Sequence, residues 1–124
     1  MSAPLSSLPV VLLDSITQVR PEHAGAVVIS GSHGGVSAGH YAAQVRAALY
    51  VFDDAGVGKD AAGIASLATL DALGIAAATV AHTSARIGEA RDTYEHGVVS
   101  HANAAARALG IQPGAALRTR VASA

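Results

Sequence analysis

The chain has 124 residues and a formal net charge of −1; it is 51% hydrophobic, 14% charged and 3% aromatic, contains no cysteine, and has a mean hydropathy of +0.39. This length and composition point to one domain with ample apolar material for a core. They exclude disulfides, thiol catalysis and thiolate metal sites, and the near-neutral balance, without a Lys/Arg cluster or stacking aromatics, argues against a nucleic-acid partner.

Residues 1–7 read as a flexible N-terminal lead, and residues 8–122 as a single α/β domain. The start, Met1-Ser2-Ala3-Pro4, lacks the basic residues and long apolar stretch of a signal peptide. Pro9 to Leu13 is a strand candidate ending at Asp14. Arg20-Pro21-Glu22-His23-Ala24-Gly25 is a turn. Ala26 to Ile29 is a second strand, followed at once by Ser30-Gly31-Ser32-His33-Gly34-Gly35. Ser37 to Ala48 fits a helix with Ser37 as N-cap.

Leu49-Tyr50-Val51-Phe52 is a third strand ending at Asp53-Asp54, with Tyr41 and Tyr50 read as packing residues. A second glycine loop, Ala55 to Lys59, leads to a helix capped by Asp60. Ile64, Leu67, Leu70 and Leu73 recur on its buried side, Gly74 stops it, and Ile75 folds back on Leu70 in a Schellman-type end. Ala76 to Ala81 is a fourth strand, ending at His82-Thr83-Ser84; the uncharged apolar run from Ala72 to Ala81 is far too short to span a bilayer. Asp92-Thr93-Tyr94-Glu95 resembles a capping box opening a helix to Leu109, and residues 115–121 add a last strand. Ala-Leu-Gly-Ile occurs at 72–75 and at 108–111, each time as a joint between a helix and an extended segment.

The expected fold class is therefore α/β: a compact two-layer or three-layer sandwich, Rossmann-like, with a mainly parallel sheet of 4–5 strands. The first two strands lie too close in sequence for a helical crossover and are expected to be antiparallel or loosely paired. Alanine supplies 29 residues and charges are few, so part of the surface is expected to be covered by another copy in a homo-oligomer. A cytoplasmic protein with no membrane partner fits these features.

The polar residues gather at strand ends: Asp14, then Ser30, Ser32 and His33, then Asp53 and Asp54, then His82, Thr83 and Ser84. Ligands of open α/β sheets bind beyond the carboxyl ends of the strands. The plainer account is that Asp and Ser make turns and caps there. His33 is the first candidate for proton transfer, with Asp54 and His82 as partners, because an unperturbed imidazole titrates near neutral pH. Strand register decides whether Asp53 or Asp54 faces the cleft.

Ser32 has small residues two places to either side, the spacing of a nucleophile elbow. His33 or His82 would be its base. The N–H groups from Gly31 through Gly34 and Gly35 to Val36 would hold an anion. The spacing matches neither a Walker loop nor a dinucleotide fingerprint. Arg86 would clamp a carboxylate, or form a salt bridge to Glu89 or Asp92. Lys59 is a lid residue or a solvated one. His96 and His101, five apart, would diverge on a helix and share no metal; a metal at His33, Asp54 and His82 is a lesser alternative, and no metal and no cofactor are expected.

These readings converge on a small enzyme acting on a small anionic metabolite by acid–base chemistry, as a lyase, hydrolase or isomerase. Its catalytic candidates are His33, Asp54, His82 and Ser32; its substrate-binding candidates are Asp14, Gly31, Gly34, Gly35, Ser84 and Arg86. The alternative is a non-catalytic small-ligand-binding module or a structural subunit of a larger assembly.

Overall fold

A computed structural model of the protein describes residues 4–122; residues 1–3 of the expected lead lie outside the described residues. Leu5, by contrast, is buried in the core. Five strands form one sheet in the order β1 (Val10–Leu13), β2 (Val27–His33), β3 (Leu49–Asp53), β4 (Ala77–Val80) and β5 (Val99–Ala102). The first four are mutually parallel and β5 pairs antiparallel with β4. The sheet is thus mainly parallel, as expected for the α/β class, and covered on both faces.

Alternation along each strand sorts side chains between two cores. Val28, Tyr50, Phe52 and Ala77 point to one face. They meet Ala38 and Ala42 of α1 (Val36–Ala42) and Leu67 and Leu70 of α2 (Ala65–Ala72). Val27, Ile29, Val51, Ala78 and Val80 point to the other, with Tyr94 of α3 (Ala90–His96), Ala106 of α4 (Ala104–Ala108) and Leu117. Apolar side chains on both faces are what make the parallel strands read as continuous hydrophobic runs. Among the described residues no helix is long and apolar enough to cross a membrane.

The parallel pairing of β1 with β2 corrects the expected antiparallel arrangement. The crossover, residues 14–26, needs no α-helix: two short 3-10 turns, Ile16–Gln18 and Pro21–His23, carry the chain back over the face where Ile16 is buried. A second correction concerns residues 92–109, expected as one helix. The segment is split into α3, β5 and α4. The chain leaves the helix at Gly97, and a Cβ there would lie 2.7 Å from Val80 Cγ1 and run into the Thr93 carbonyl, so only glycine fits at this exit. Val98 and Val99 then favour extended backbone. Asn103 restarts the helix: its Oδ1 accepts the Ala106 N–H (2.9 Å) and the Ala77 N–H (3.0 Å), and its Nδ2 donates to the carbonyls of Leu67 and Ile75. The expected last strand, 115–121, reduces to one bridge between Val98 and Ala116 and a 3-10 turn at Leu117–Thr119.

Three caps also differ. Gly35 rather than Ser37 precedes α1, and Glu89 rather than Asp92 precedes α3. Asp60 has φ +57 inside a kinked segment instead of capping α2. Both Ala-Leu-Gly-Ile joints close a helix as expected, but only the first leads into a strand, β4; the second leads into a turn. Gly74 (φ +72) and Gly110 (φ +90) turn the chain, and the N–H groups of Ile75 and Ile111 donate back to the carbonyls of Leu70 and Ala106.

Candidate functional site

After β4 the chain runs across the carboxyl edge of the sheet before entering α3 on the opposite face. Backbone and side-chain contacts pin this segment, residues 82–89, to the strand ends. The His82 N–H donates to Asp54 Oδ1 (3.0 Å) after β3, the Gly88 N–H to the Gly31 carbonyl (2.6 Å) in β2, and the Ala90 N–H to Asp14 Oδ1 (3.0 Å) after β1. The polar strand ends are therefore brought together at one edge, and several of them hold this roof in place.

Asp53 and Asp54 lie beneath it, both buried, in unlike surroundings. Asp54 Oδ1 accepts the N–H groups of Gly56 (2.8 Å) and His82, and stands 3.5 Å from His82 Nδ1, an electrostatic contact rather than a hydrogen bond. Burial works to raise the Asp54 pKa. The hydrogen bonds from Gly56, Ser100 and His82, with the His82 ring, outweigh it and hold the carboxyl below its usual range. Asp53 Oδ1 accepts only the Ala55 N–H (2.8 Å), and its buried Oδ2 has no hydrogen-bond partner among the described residues. Burial is the main reason its carboxyl is pushed up. The Asp54 charge adds to this, while the Ala55 N–H and the nearby His82 and His33 rings pull the other way.

The two histidines open onto different hollows. His82, half exposed, lines a cavity of about 230 Å³ with Thr83, Ser84, Arg86 and Asp92. Arg86 is free to turn toward that cavity: its guanidinium lies 4.0 Å from Glu89 with both groups exposed, while its backbone N–H is held by Asp92 Oδ2 (2.7 Å). The other Asp92 oxygen meets His96 Nδ1 at 2.8 Å. The Ser84 hydroxyl donates to the Ala81 carbonyl (2.7 Å) and accepts the Val98 N–H. His33 sits beside Asp53 in strand register but lines a smaller hollow of about 130 Å³ against α1.

The glycine segment is built differently from a ligand turn. β2 continues through Gly31 to His33, so the turn is at Gly34 and Gly35. A Cβ on Gly31 would come within 2.6–2.7 Å of the backbone of Asp14, Gly88 and Glu89; on Gly34, within 2.8 Å of the Gly63 carbonyl. On Gly35 it would come within 2.8 Å of His33 Nε2. Of the N–H groups an anion would use, that of Ser32 donates to Ser30 Oγ (3.0 Å) and that of Gly34 to the Asp53 carbonyl (3.0 Å). Ser32 Oγ accepts the Ile16 N–H (3.0 Å) and has no hydrogen bond to a histidine among the described residues.

The expected helical reading of 92–109 hid Ser100 and placed His101 on a helix. They lie on β5 beside Thr79, whose hydroxyl meets Ser100 Oγ at 2.9 Å. The signal that reveals them is Val98-Val99 directly after Gly97. Lys59 stays exposed in a loop whose neighbours Ala55, Val57, Asp60 and Ala61 all have positive φ, costly conformations for residues with a Cβ. Among the described residues no three His, Asp or Glu side chains come together as a metal site requires. No family model, curated protein or solved structure matches the chain.

Proposed function

We propose that the protein is a small enzyme performing acid–base chemistry on a small anionic metabolite, as a lyase, hydrolase or isomerase, with His82 as the proton-transferring group. The observation that carries this reading is the His82–Asp54 pair, in which a buried carboxylate faces Nδ1 of a half-exposed imidazole on the wall of the Arg86 cavity. A carboxylate at Nδ1 favours the tautomer protonated there and leaves Nε2 as the base. Arg86 supplies a planar two-pronged donor suited to a carboxylate or phosphate.

In this reading His82 takes a proton from a carbon beside the substrate's carboxylate, or from an attacking water, and returns it later in the cycle. Asp54 supports the positive charge that forms on the ring. Asp53, held more basic than an ordinary carboxyl, is a second proton-holding group next to it. Paired carboxyls whose surroundings drive their pKa values apart are a recurring way of dividing acid and base roles.

The test follows a panel of small 2-oxo acids, 2-hydroxy acids and phosphate monoesters by NMR in D2O, recording C–H exchange, product signals and binding shifts. The expected result is exchange or conversion of at least one compound. Arg86→Ala then weakens its binding about tenfold or more, and His82→Asn slows turnover by about 10²-fold or more while leaving binding within about tenfold. A panel member that binds at Arg86 with no exchange or conversion, its affinity alone responding to His82→Asn, overturns catalysis in favour of a binding module.

A further inference from the structure

The smaller hollow has a chemistry unlike that of the His82 cavity. It lies between α1 and the Ile16–Gln18 turn, and Ile16 and Ala38, both buried, supply its apolar wall. Tyr41, 40% exposed, adds an aromatic side. Two of its polar groups are already occupied: Ser32 Oγ by the Ile16 N–H (3.0 Å), and Thr17 Oγ1 by Ser15 Oγ (2.7 Å). Three others, the His33 ring nitrogens and the hydroxyls of Ser37 and Tyr41, have no hydrogen-bond partner among the described residues. The three residues are exposed, so these groups stand at a solvent-facing rim above an apolar floor, an arrangement that suits a ligand much smaller than those of ordinary small-molecule pockets.

We propose that this hollow binds an uncharged, planar, single-ring molecule carrying hydrogen-bonding groups on its edge. Size sets the single ring: a cavity of about 150 Å³ admits benzene, and this one measures about 130 Å³. Charge sets the neutrality. No Lys or Arg lines the hollow, and its one ionisable ring, His33, already faces the Asp53 carboxyl, so an anion would lose its water without gaining a cation of its own. The ring lies between Ala38, Ile16 and Tyr41, and its edge groups meet His33 and Ser37. This inference does not rest on chemistry at His82, and it assigns to this hollow a ligand of the opposite character from the anion at Arg86.

The experiment titrates isotope-labelled full-length protein with benzamide and, separately, benzoate, which has the same ring with a negative charge. Benzamide should shift the methyl signals of Ile16 and Ala38 and the amide of Ser37, with a Kd in the millimolar range, and benzoate should bind at least about fivefold more weakly. Tyr41→Ala should weaken benzamide about three- to tenfold, and Ala38→Leu, which fills the hollow, should abolish the shifts. If Ala38→Leu does not fold, the Tyr41→Ala result decides, since that side chain is partly exposed. Shifts confined to other surfaces, benzoate binding as tightly as benzamide, or an unchanged affinity in Tyr41→Ala would each overturn the proposal. Loss of anion binding at Arg86 leaves these signals untouched, so the two sites fail separately.

Discussion

Asp54→Asn isolates the charge of the carboxylate that ties three segments together. The substitution keeps the shape and an oxygen acceptor for the N–H groups of Gly56 (2.8 Å) and His82 (3.0 Å). Hydrogen bonds to a charged acceptor contribute about 1.5–3 kcal/mol net, against about 0.5–1.5 for neutral ones. The two backbone bonds would lose about 2–3 kcal/mol; because they share one oxygen, and the amide can still accept from the Ser100 hydroxyl, the expected cost at pH 7 is about 2 kcal/mol. The pH dependence has a definite sign. The Asp54 carboxyl is held below its usual range in the folded protein. Its stabilisation is therefore complete above the unfolded carboxyl pKa of about 3.9 and disappears as pH falls through the lower folded value. Urea unfolding of both proteins at pH 7, 5, 4 and 3, at constant ionic strength, should show a gap that closes on acidification. An equal penalty at pH 7 and pH 3, or one below about 0.5 kcal/mol at pH 7, would refute the idea that charge on this oxygen holds the roof to β3.

Asp53→Asn should behave in the opposite sense. Its carboxyl is held above the usual range, so the favourable effect is present at low pH and lost as pH rises through the folded value; the same unfolding series should show the variant gaining on the wild type toward neutrality. Asn103→Ala removes four hydrogen bonds linking α4, β4 and α2, and should cost about 3–5 kcal/mol in urea unfolding. Gly63→Ala drives a Cβ into the Asp54 carbonyl, and should lower the thermal midpoint by about 10 °C or more, whereas alanine at Gly25, which meets nothing within 4 Å, should cost only about 1 kcal/mol for its positive φ.

What the sequence reveals of this fold depends on how local each determinant is. The first four strands are legible because each contains a short apolar run; β5 is not, because Ser100 and His101 interrupt its apolar residues. The direction of β1 against β2 is not, because a crossover made of two 3-10 turns carries no helical periodicity across residues 14–26. The alanines of 104–108 look like one helix with 92–96, since nothing in alanine itself resists helix; the break is the pairing of Val99–Ala102 with β4, a contact that is not local in sequence.

The site follows the same rule. Asp14, Asp53, Asp54 and His82 are legible as polar strand ends, and they do meet at one edge. The roof that joins them is not legible. One of its ties is a backbone-to-backbone bond from Gly88 to Gly31, which leaves no side-chain signature. That bond also explains why Ser-Gly-Ser-His-Gly-Gly resembles a ligand loop. Glycine at 31 is required because another backbone comes within contact distance, and a backbone that must be approached closely makes the same demand whether it approaches a phosphate or the protein's own chain. Only the identity of the partner separates the two cases, and here the partners are the backbones of Gly88 and Glu89, more than fifty residues away in sequence, and of Asp14 at the end of the neighbouring strand. The proposed function accordingly rests not on the glycines but on His82 and Arg86, which line the cavity on the outer side of the same segment.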